Sequence, residues 1–177
     1  MIEDIVGNKK MLVNNELEKM LQQKANKIRQ HIIKMLAKSQ AGHPGSSLSI
    51  VEILTVLYFY ILKVSPNEPN WDERDRFILS KGHGCPALYA TLAERGFFSE
   101  ELLYSLHDIN SSLQAHPDMR LVPGIDMSTG SLGQGLSIAV GMAIGAKLKK
   151  KMFRVYVLLG DGELNEGQVW EAAMSGA

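Results

Sequence analysis

Gly160-Asp161-Gly162 follows directly on the apolar run Val155-Tyr156-Val157-Leu158-Leu159. A short, β-rich run that ends in a carboxylate between two glycines reads as a buried strand delivering a metal ligand to the edge of a sheet. In open parallel α/β sheets, ligands bind beyond the carboxyl ends of the strands. The glycines allow a tight turn and close approach of the backbone to a bound group. Asp161 is therefore a candidate ligand for Mg²⁺ or Ca²⁺, and such an ion could hold a diphosphate. The same tripeptide is also ordinary turn chemistry, so both readings stand on this motif alone.

Three histidines sit in tight turns. His43 lies between Gly42 and Pro44-Gly45, His83 between Gly82 and Gly84, and His116 before Pro117. Imidazole titrates near neutral pH and can move protons, so the three together carry more weight than one turn histidine. His31, within a helix, and His107, at a helix end, read as structural. Gly130-Ser131-Leu132-Gly133-Gln134-Gly135 is glycine-rich before a helix, but its spacing is not G-x-G-x-x-G and no strand precedes it. No triphosphate P-loop pattern occurs either. The segment is either a flexible loop or a backbone surface facing a flat ring. Glu166, in an acidic first turn, suits a helix N-terminus. Cys85, the only cysteine, excludes an intrachain disulfide and a cysteine-based zinc site. It reads as a packing residue.

Taken in order, Gln40-Ala41-Gly42-His43-Pro44-Gly45, Ser80-Lys81-Gly82-His83-Gly84, Ala115-His116-Pro117, Ser128 to Gly135 and Gly160 to Gly167 resemble the N-terminal, thiamine diphosphate-binding domain of transketolase. The likeness is greatest to the separate N-terminal subunit of two-subunit transketolases, and it covers about residues 20–177. It implies two-carbon ketol transfer between a ketose phosphate and an aldose phosphate. By the same resemblance, His43 helps shuttle protons near the reactive thiazolium carbon, His83 approaches the diphosphate, and His116 bonds the donor sugar's terminal hydroxyl. Gly130, Ser131 and Leu132 line the aminopyrimidine, although many family members carry Pro where this chain has Ser131. Asp161 is a Mg²⁺ or Ca²⁺ ligand beside Gly160, and Gly162 contacts the diphosphate through its backbone. Glu166 contacts the partner subunit near the cofactor.

The family's second metal ligand, an asparagine, falls beyond Ala177, and its activating glutamate and sugar-phosphate clamp belong to another domain. The resemblance thus implies a C-terminal partner subunit, in a homodimer or heterotetramer. Two other readings are a different thiamine enzyme (a deoxyxylulose-phosphate synthase or a 2-oxoacid dehydrogenase component) and a truncated, non-catalytic fragment. The Leu132-Gly133-Gln134-Gly135 segment with Ala115-His116-Pro117 upstream favours the transketolase-like branch.

These residues need elements to hold them. Leu17, Leu21, Ala25, Ile28, Ile32 and Leu36 recur at three- and four-residue spacing and predict a helix over about Asn15–Lys38. Gln40–Ser47 reads as a loop. Ser49-Ile50-Val51-Glu52 has capping-box spacing and should open the next helix, a buried core helix. Ser65–Asp72 is a surface connection. Arg76–Leu79 reads as a strand, Pro86 opens a helix that Gly96 closes, and Ser99 caps another. Residues 107–130 lack a period and form a long loop of functional type. A small-residue helix over Gln134–Lys150 should pack closely on a neighbour through Gly141, Ala143, Gly145 and Ala146. A last helix starts near Gly167.

The expected fold is α/β: a thiamine diphosphate-binding, doubly wound, mostly parallel sheet with helices on both faces, incomplete in this chain because only two strands can be placed. Residues 1–13 are expected to be a flexible leader and residues 14–177 a partial diphosphate-binding domain.

The 177 residues suffice for one domain with a core, and nineteen basic against nineteen acidic residues leave no footprint for nucleic acid. Lys147–Lys151 ends a helix, where lysines complement the dipole. The apolar stretch over residues 50–64 is interrupted by Glu52, Thr55 and Lys63 and falls short of the ~20 residues that span a bilayer. The N-terminus lacks a signal-peptide pattern. A cytoplasmic location is expected, with no membrane partner.

Overall fold

Helical periodicity near the N-terminus produces α1 (Asn15–Ser39), whose inward face carries Ala25, Ile28, Ile32 and Met35. The computed structural model describes residues 15–177, so the expected leader over residues 1–13 lies outside the described residues. Next come α2 (Pro44–Leu48) and α3 (Val51–Val56), the latter continuing through a π turn over Leu57–Ile61. Ile28, Ile32, Val51, Leu54 and Leu92 are wholly buried where α1 and α3 meet α4 (Cys85–Arg95). Burial of side chains of this size stabilises by roughly 1.5–3 kcal/mol each.

Several local expectations are corrected. The Gln40–Ser47 loop gives way to α2 at Pro44, because a proline at the first helical position costs no hydrogen bond. The capping box at Ser49 does not form. Ser49 instead ends α2, with its N–H bonded to Gly45 O, and Glu52 pairs with Arg29 across to α1. Ser99 precedes a 3-10 turn (Glu100–Ser105) as expected, but its hydroxyl bonds the Glu101 carboxylate, not a backbone amide. The run Pro44–Ile61 is long and apolar enough to cross a membrane by length and composition alone. Its Ile50, Val51, Leu54 and Tyr58 are buried in the core while Ile53, Tyr60 and Ile61 are exposed. It is therefore a one-faced core element and not buried all round.

Strand β1 (Arg76–Leu79) pairs in parallel with β2 (Val155–Leu158), Arg76 opposite Val155 through Leu79 opposite Leu158. Phe77, Ile78 and Leu79 are buried, but in β2 only Leu158 is. The expectation of a buried second strand is corrected: among the described residues β2 is an edge strand, so its other side has no neighbour. Before it runs α5 (Gln134–Leu148) and after it a 3-10 turn (Gly162–Asn165) and α6 (Gly167–Gly176). Helix α5 packs on α6 and β2. Its small-residue face is only partly used. Ala146 is buried, but a side chain at Gly141 or Gly145 would meet nothing within 4 Å.

Residues 107–130 contain no helix or strand, as expected, and are strapped to the scaffold. Tyr89 Oη donates to Gln114 O and His116 O at 3.0 and 3.1 Å. Cys85 Sγ lies 3.2 Å from Ala115 O, and burial pushes its thiol up to about 12. Thr129 Oγ1 donates to Leu79 O at 2.7 Å. The buried carboxylate of Asp126 accepts the Phe77 N–H at 2.8 Å and pairs with Arg74 at 2.6 Å.

That last contact generates a stability prediction. Asp126→Ala leaves a buried guanidinium and a strand amide without their acceptor, and should lower the unfolding free energy by about 3–5 kcal/mol. Urea denaturation of the full subunit measures this. A loss below about 1 kcal/mol would mean that the loop is held by its other bonds.

Candidate functional site

The parallel register brings the carboxyl ends of β1 and β2 to one edge, where Ser80-Lys81 and Gly160-Asp161 diverge. Helix α2 closes the other side. Between them lies a cleft of about 370 Å³ whose lining includes Ser46, Lys81, His83, Leu132, Asp161 and Gly162. A second hollow of about 330 Å³ is lined by His116, Thr129, Gly130, Ser131 and Gln134. The consecutive residues Ser131 and Leu132 therefore face one hollow each.

The structure brings His43, His83 and His116 together. The rings of His43 and His83 stand edge to face with centroids 5.1 Å apart. His83 is held below the ordinary imidazole value by burial first, then by repulsion from His43, Lys81 and His116. It is a neutral ring at pH 7, able to donate one N–H and accept at its other nitrogen. A side chain on Gly130 would meet the His116 ring at 3.0 Å, so glycine lets that imidazole lie on the loop. Gly82 is similarly required, because a Cβ there would come within 2.9 Å of the Thr129 and Gly130 backbone.

Asp161 lines the cleft at the start of the 3-10 turn, but it is exposed. The expectation of a carboxylate at the end of a buried strand is therefore corrected. The strand emerges into an open cleft and water shares the charge. Two candidates line neither hollow: His43, which reaches the group through the His83 ring, and Glu166. Glu166 is the exposed N-cap of α6.

Two residues of the cleft escape a reading of the sequence. Lys81 is 7% exposed, and its Nζ donates to Ser46 O at 2.9 Å, Ser46 Oγ at 3.1 Å and Ser49 Oγ at 3.2 Å. Burial lowers its pKa, an effect that Asp161 and Glu163 partly offset. Among the described residues no carboxylate forms a salt bridge with it. Glu163 is 3% exposed and accepts hydrogen bonds from Ser80 Oγ at 2.5 Å, Gly133 N at 2.7 Å and Gly160 N at 2.8 Å. The only local signals for the two are a lone lysine straight after an apolar strand, and a second carboxylate two residues beyond Asp161.

A metal–diphosphate group fits this donor set in part. Lys81 and His83 supply donors for phosphate oxygens, and Asp161 supplies one carboxylate for a hard cation. Both oxygens of Glu163 are engaged by amides and a hydroxyl of the protein itself. Among the described residues, one cluster has ligand atoms close enough together for an ion: His31, Glu94 and Glu100. It lies where α1 packs on α4 and the Glu100–Ser105 turn, and none of it lines the cleft. Lys24 and Lys27 already pair with its carboxylates at 2.6–2.8 Å. It is an ion-pair network, which keeps His31 structural.

Comparison with known proteins agrees with this geometry. Residues 20–177 match the model of the transketolase, thiamine diphosphate binding domain. The chain is 53% identical over 154 residues to the 6-deoxy-6-sulfo-D-fructose transketolase subunit SqwG of Clostridium sp. (strain MSTE9), covering 87% of this chain and 56% of that one. It is 47% identical over 156 residues to an apulose-4-phosphate transketolase subunit of Phocaeicola vulgatus, covering 88% and 55%. It thus spans a little over half the length of these curated relatives. Among solved structures, transketolase from Campylobacter jejuni superposes with a TM-score of 0.80 at 35% identity, over 87% of this chain and 25% of that one. Transketolase from Leishmania mexicana gives 0.80 at 32%, over 86% and 24%. With a family match over nearly the whole chain and a cleft at the carboxyl edge of its parallel strands, the chain belongs to the transketolase family, in its thiamine diphosphate-binding domain.

Proposed function

We propose that this chain grips the diphosphate and positions the donor in a ketol transferase that moves two-carbon units between a ketose phosphate and an aldose phosphate. One observation carries the reading. A buried lysine with only neutral oxygen partners faces an aspartate across a cleft at the carboxyl ends of two parallel strands. A buried cation without a counter-ion is costly, and an anionic ligand would relieve it. Thiamine diphosphate, when bound, supplies the carbanion chemistry of the transfer.

The chain's own residues then have distinct work. Lys81 neutralises diphosphate charge and the neutral His83 donates one hydrogen bond to it. Asp161 would hold Mg²⁺ or Ca²⁺, as one carboxylate ligand among others that come from outside this chain's described residues. Gly130, Ser131 and Leu132 present backbone to the aminopyrimidine. His43 moves protons at the reacting carbon, and His116 orients the donor's terminal hydroxyl. Glu166 sits on an exposed helix start and serves a contact with a partner near the cofactor. Both relatives are named as subunits, which supports a requirement for a second, complementary subunit here. Their names specify different sugars.

Reconstitution tests the function. The full subunit mixed with its complementary subunit, thiamine diphosphate and Mg²⁺ should transfer ketol units from a ketose phosphate to an aldose phosphate, whereas neither of the two should do so by itself. Robust turnover without the complementary subunit would refute the division of labour. Removing Mg²⁺ with a chelator should weaken cofactor binding, and Asp161→Ala should do so by more than about tenfold. Calorimetry with and without the metal measures both. Unchanged affinity in the variant would return Gly160-Asp161-Gly162 to a plain turn. The histidines should separate kinetically. His83→Ala should raise the cofactor concentration needed for half-activity, while His116→Ala should raise the KM for the ketose with little change in cofactor affinity. Equal effects of both on cofactor affinity would contradict these assignments.

A further inference from the structure

We propose that Glu163 is a positioning residue that locks the diphosphate loop and the aminopyrimidine loop into a single cradle, acting as a hydrogen-bond acceptor and not through its charge. The proposal rests on the thiamine diphosphate reading above. The carboxylate joins three segments that are distant in sequence. Its Oε1 accepts Ser80 Oγ–H, from the end of β1, and Gly133 N–H, from the start of α5. Its Oε2 accepts Gly160 N–H, beside Asp161. Ser80 Oγ extends the network by accepting Gly135 N–H at 3.1 Å. A Cβ on Gly135 would fall 2.4 Å from that hydroxyl, so the contact admits only glycine.

The amides at the start of α5 lack partners within the helix, and Glu163 with Ser80 satisfies two of them from outside. Gly133 directly follows the Gly130–Leu132 segment, and Gly160 directly precedes Asp161. One buried side chain thus sets the spacing between the two ends of the proposed cofactor site. Only a carboxylate can accept on both oxygens. Glutamine has the same shape, but its amide nitrogen must face one of the N–H donors, so one loop is released whichever way it is turned.

Charge and hydrogen bonding make opposite predictions. Glu163 is a carboxylate beside a site for an anion, so on charge alone Glu163→Gln should tighten diphosphate binding. As an acceptor that fixes the cradle, its loss should weaken binding. The experiment is calorimetry on the full subunit with its complementary subunit and Mg²⁺. It titrates thiamine diphosphate and, separately, inorganic pyrophosphate, which has no ring to place against the Gly130–Leu132 backbone. Glu163→Gln should weaken thiamine diphosphate by about tenfold or more and pyrophosphate distinctly less. Unchanged or tighter thiamine diphosphate binding would overturn the proposal, as would an equal loss for both ligands. Should Glu163→Gln not fold, Ser80→Ala carries the test by removing one donor without touching charge. A several-fold loss of thiamine diphosphate affinity supports the proposal, and none overturns it. If the wild-type protein binds pyrophosphate and thiamine diphosphate equally, the functional reading falls and takes this inference with it.

Discussion

Parallel pairing of Arg76–Leu79 with Val155–Leu158 is the constraint on which the other features depend. A parallel pair cannot be closed by a tight turn, and its crossover here contains α4, the long loop and α5. Closing so long a connection is entropically costly, and four residue pairs supply only part of the compensation. Burial of the core supplies more, and carboxylates fasten the strand region directly. Asp126 accepts the Phe77 amide, and Asp75 accepts the amides of Lys63 and Arg154. Once that pairing is fixed, both strands must release their chains at the same edge. Lys81 and Asp161 then face a common cleft without any direct bond between them.

Charge is handled differently in the scaffold and in the cleft. Buried scaffold charges have opposite charges at hand: Asp126 has Arg74, and Glu94 has Lys24 and Lys27. In the cleft, Lys81 is held only by hydroxyls and a carbonyl, Asp161 is open to water, and three imidazoles are close enough for repulsion to lower one of them. A structure that satisfies its charges elsewhere and leaves these incompletely matched is arranged for a ligand that completes them.

What is decided within one or two turns of chain is legible in the sequence. Strand β1 is readable at its observed bounds, and α4 between Pro86 and Gly96, because proline and glycine punctuate locally. Helix α1 is readable to within one residue at its end, because its stripe repeats over many turns. The three histidines stand out because turn residues mark them. The capping box at Ser49 misleads because the preceding helix takes that residue for its own end, which no local pattern records. Lys81 and Glu163 are hidden for the same reason. A lysine becomes a buried cation only when α2 folds over it, and Glu163 becomes a junction only when Ser80 and Gly133 arrive from far along the chain.

The glycine-rich segment before α5 shows how much depends on where amides point. A helix N-terminus with exposed N–H groups is a natural anion site, and glycine there invites that reading. Here the amides of Gly133 and Gly135 are turned inward and spent on Glu163 and Ser80. The carboxylate also sits at the positive end of the helix dipole, where an external phosphate would otherwise be drawn. The amides of Gly133 and Gly135 at that end of α5 are therefore not free for an anion. On the proposed function, the donors left for a diphosphate are Lys81 and His83 across the cleft, and the ring would lie on the backbone of Gly130 to Leu132. The segment that leads into those amides also runs between the two hollows: Leu132 lines the one with Lys81 and Asp161, and Ser131 the one with His116 and Gly130.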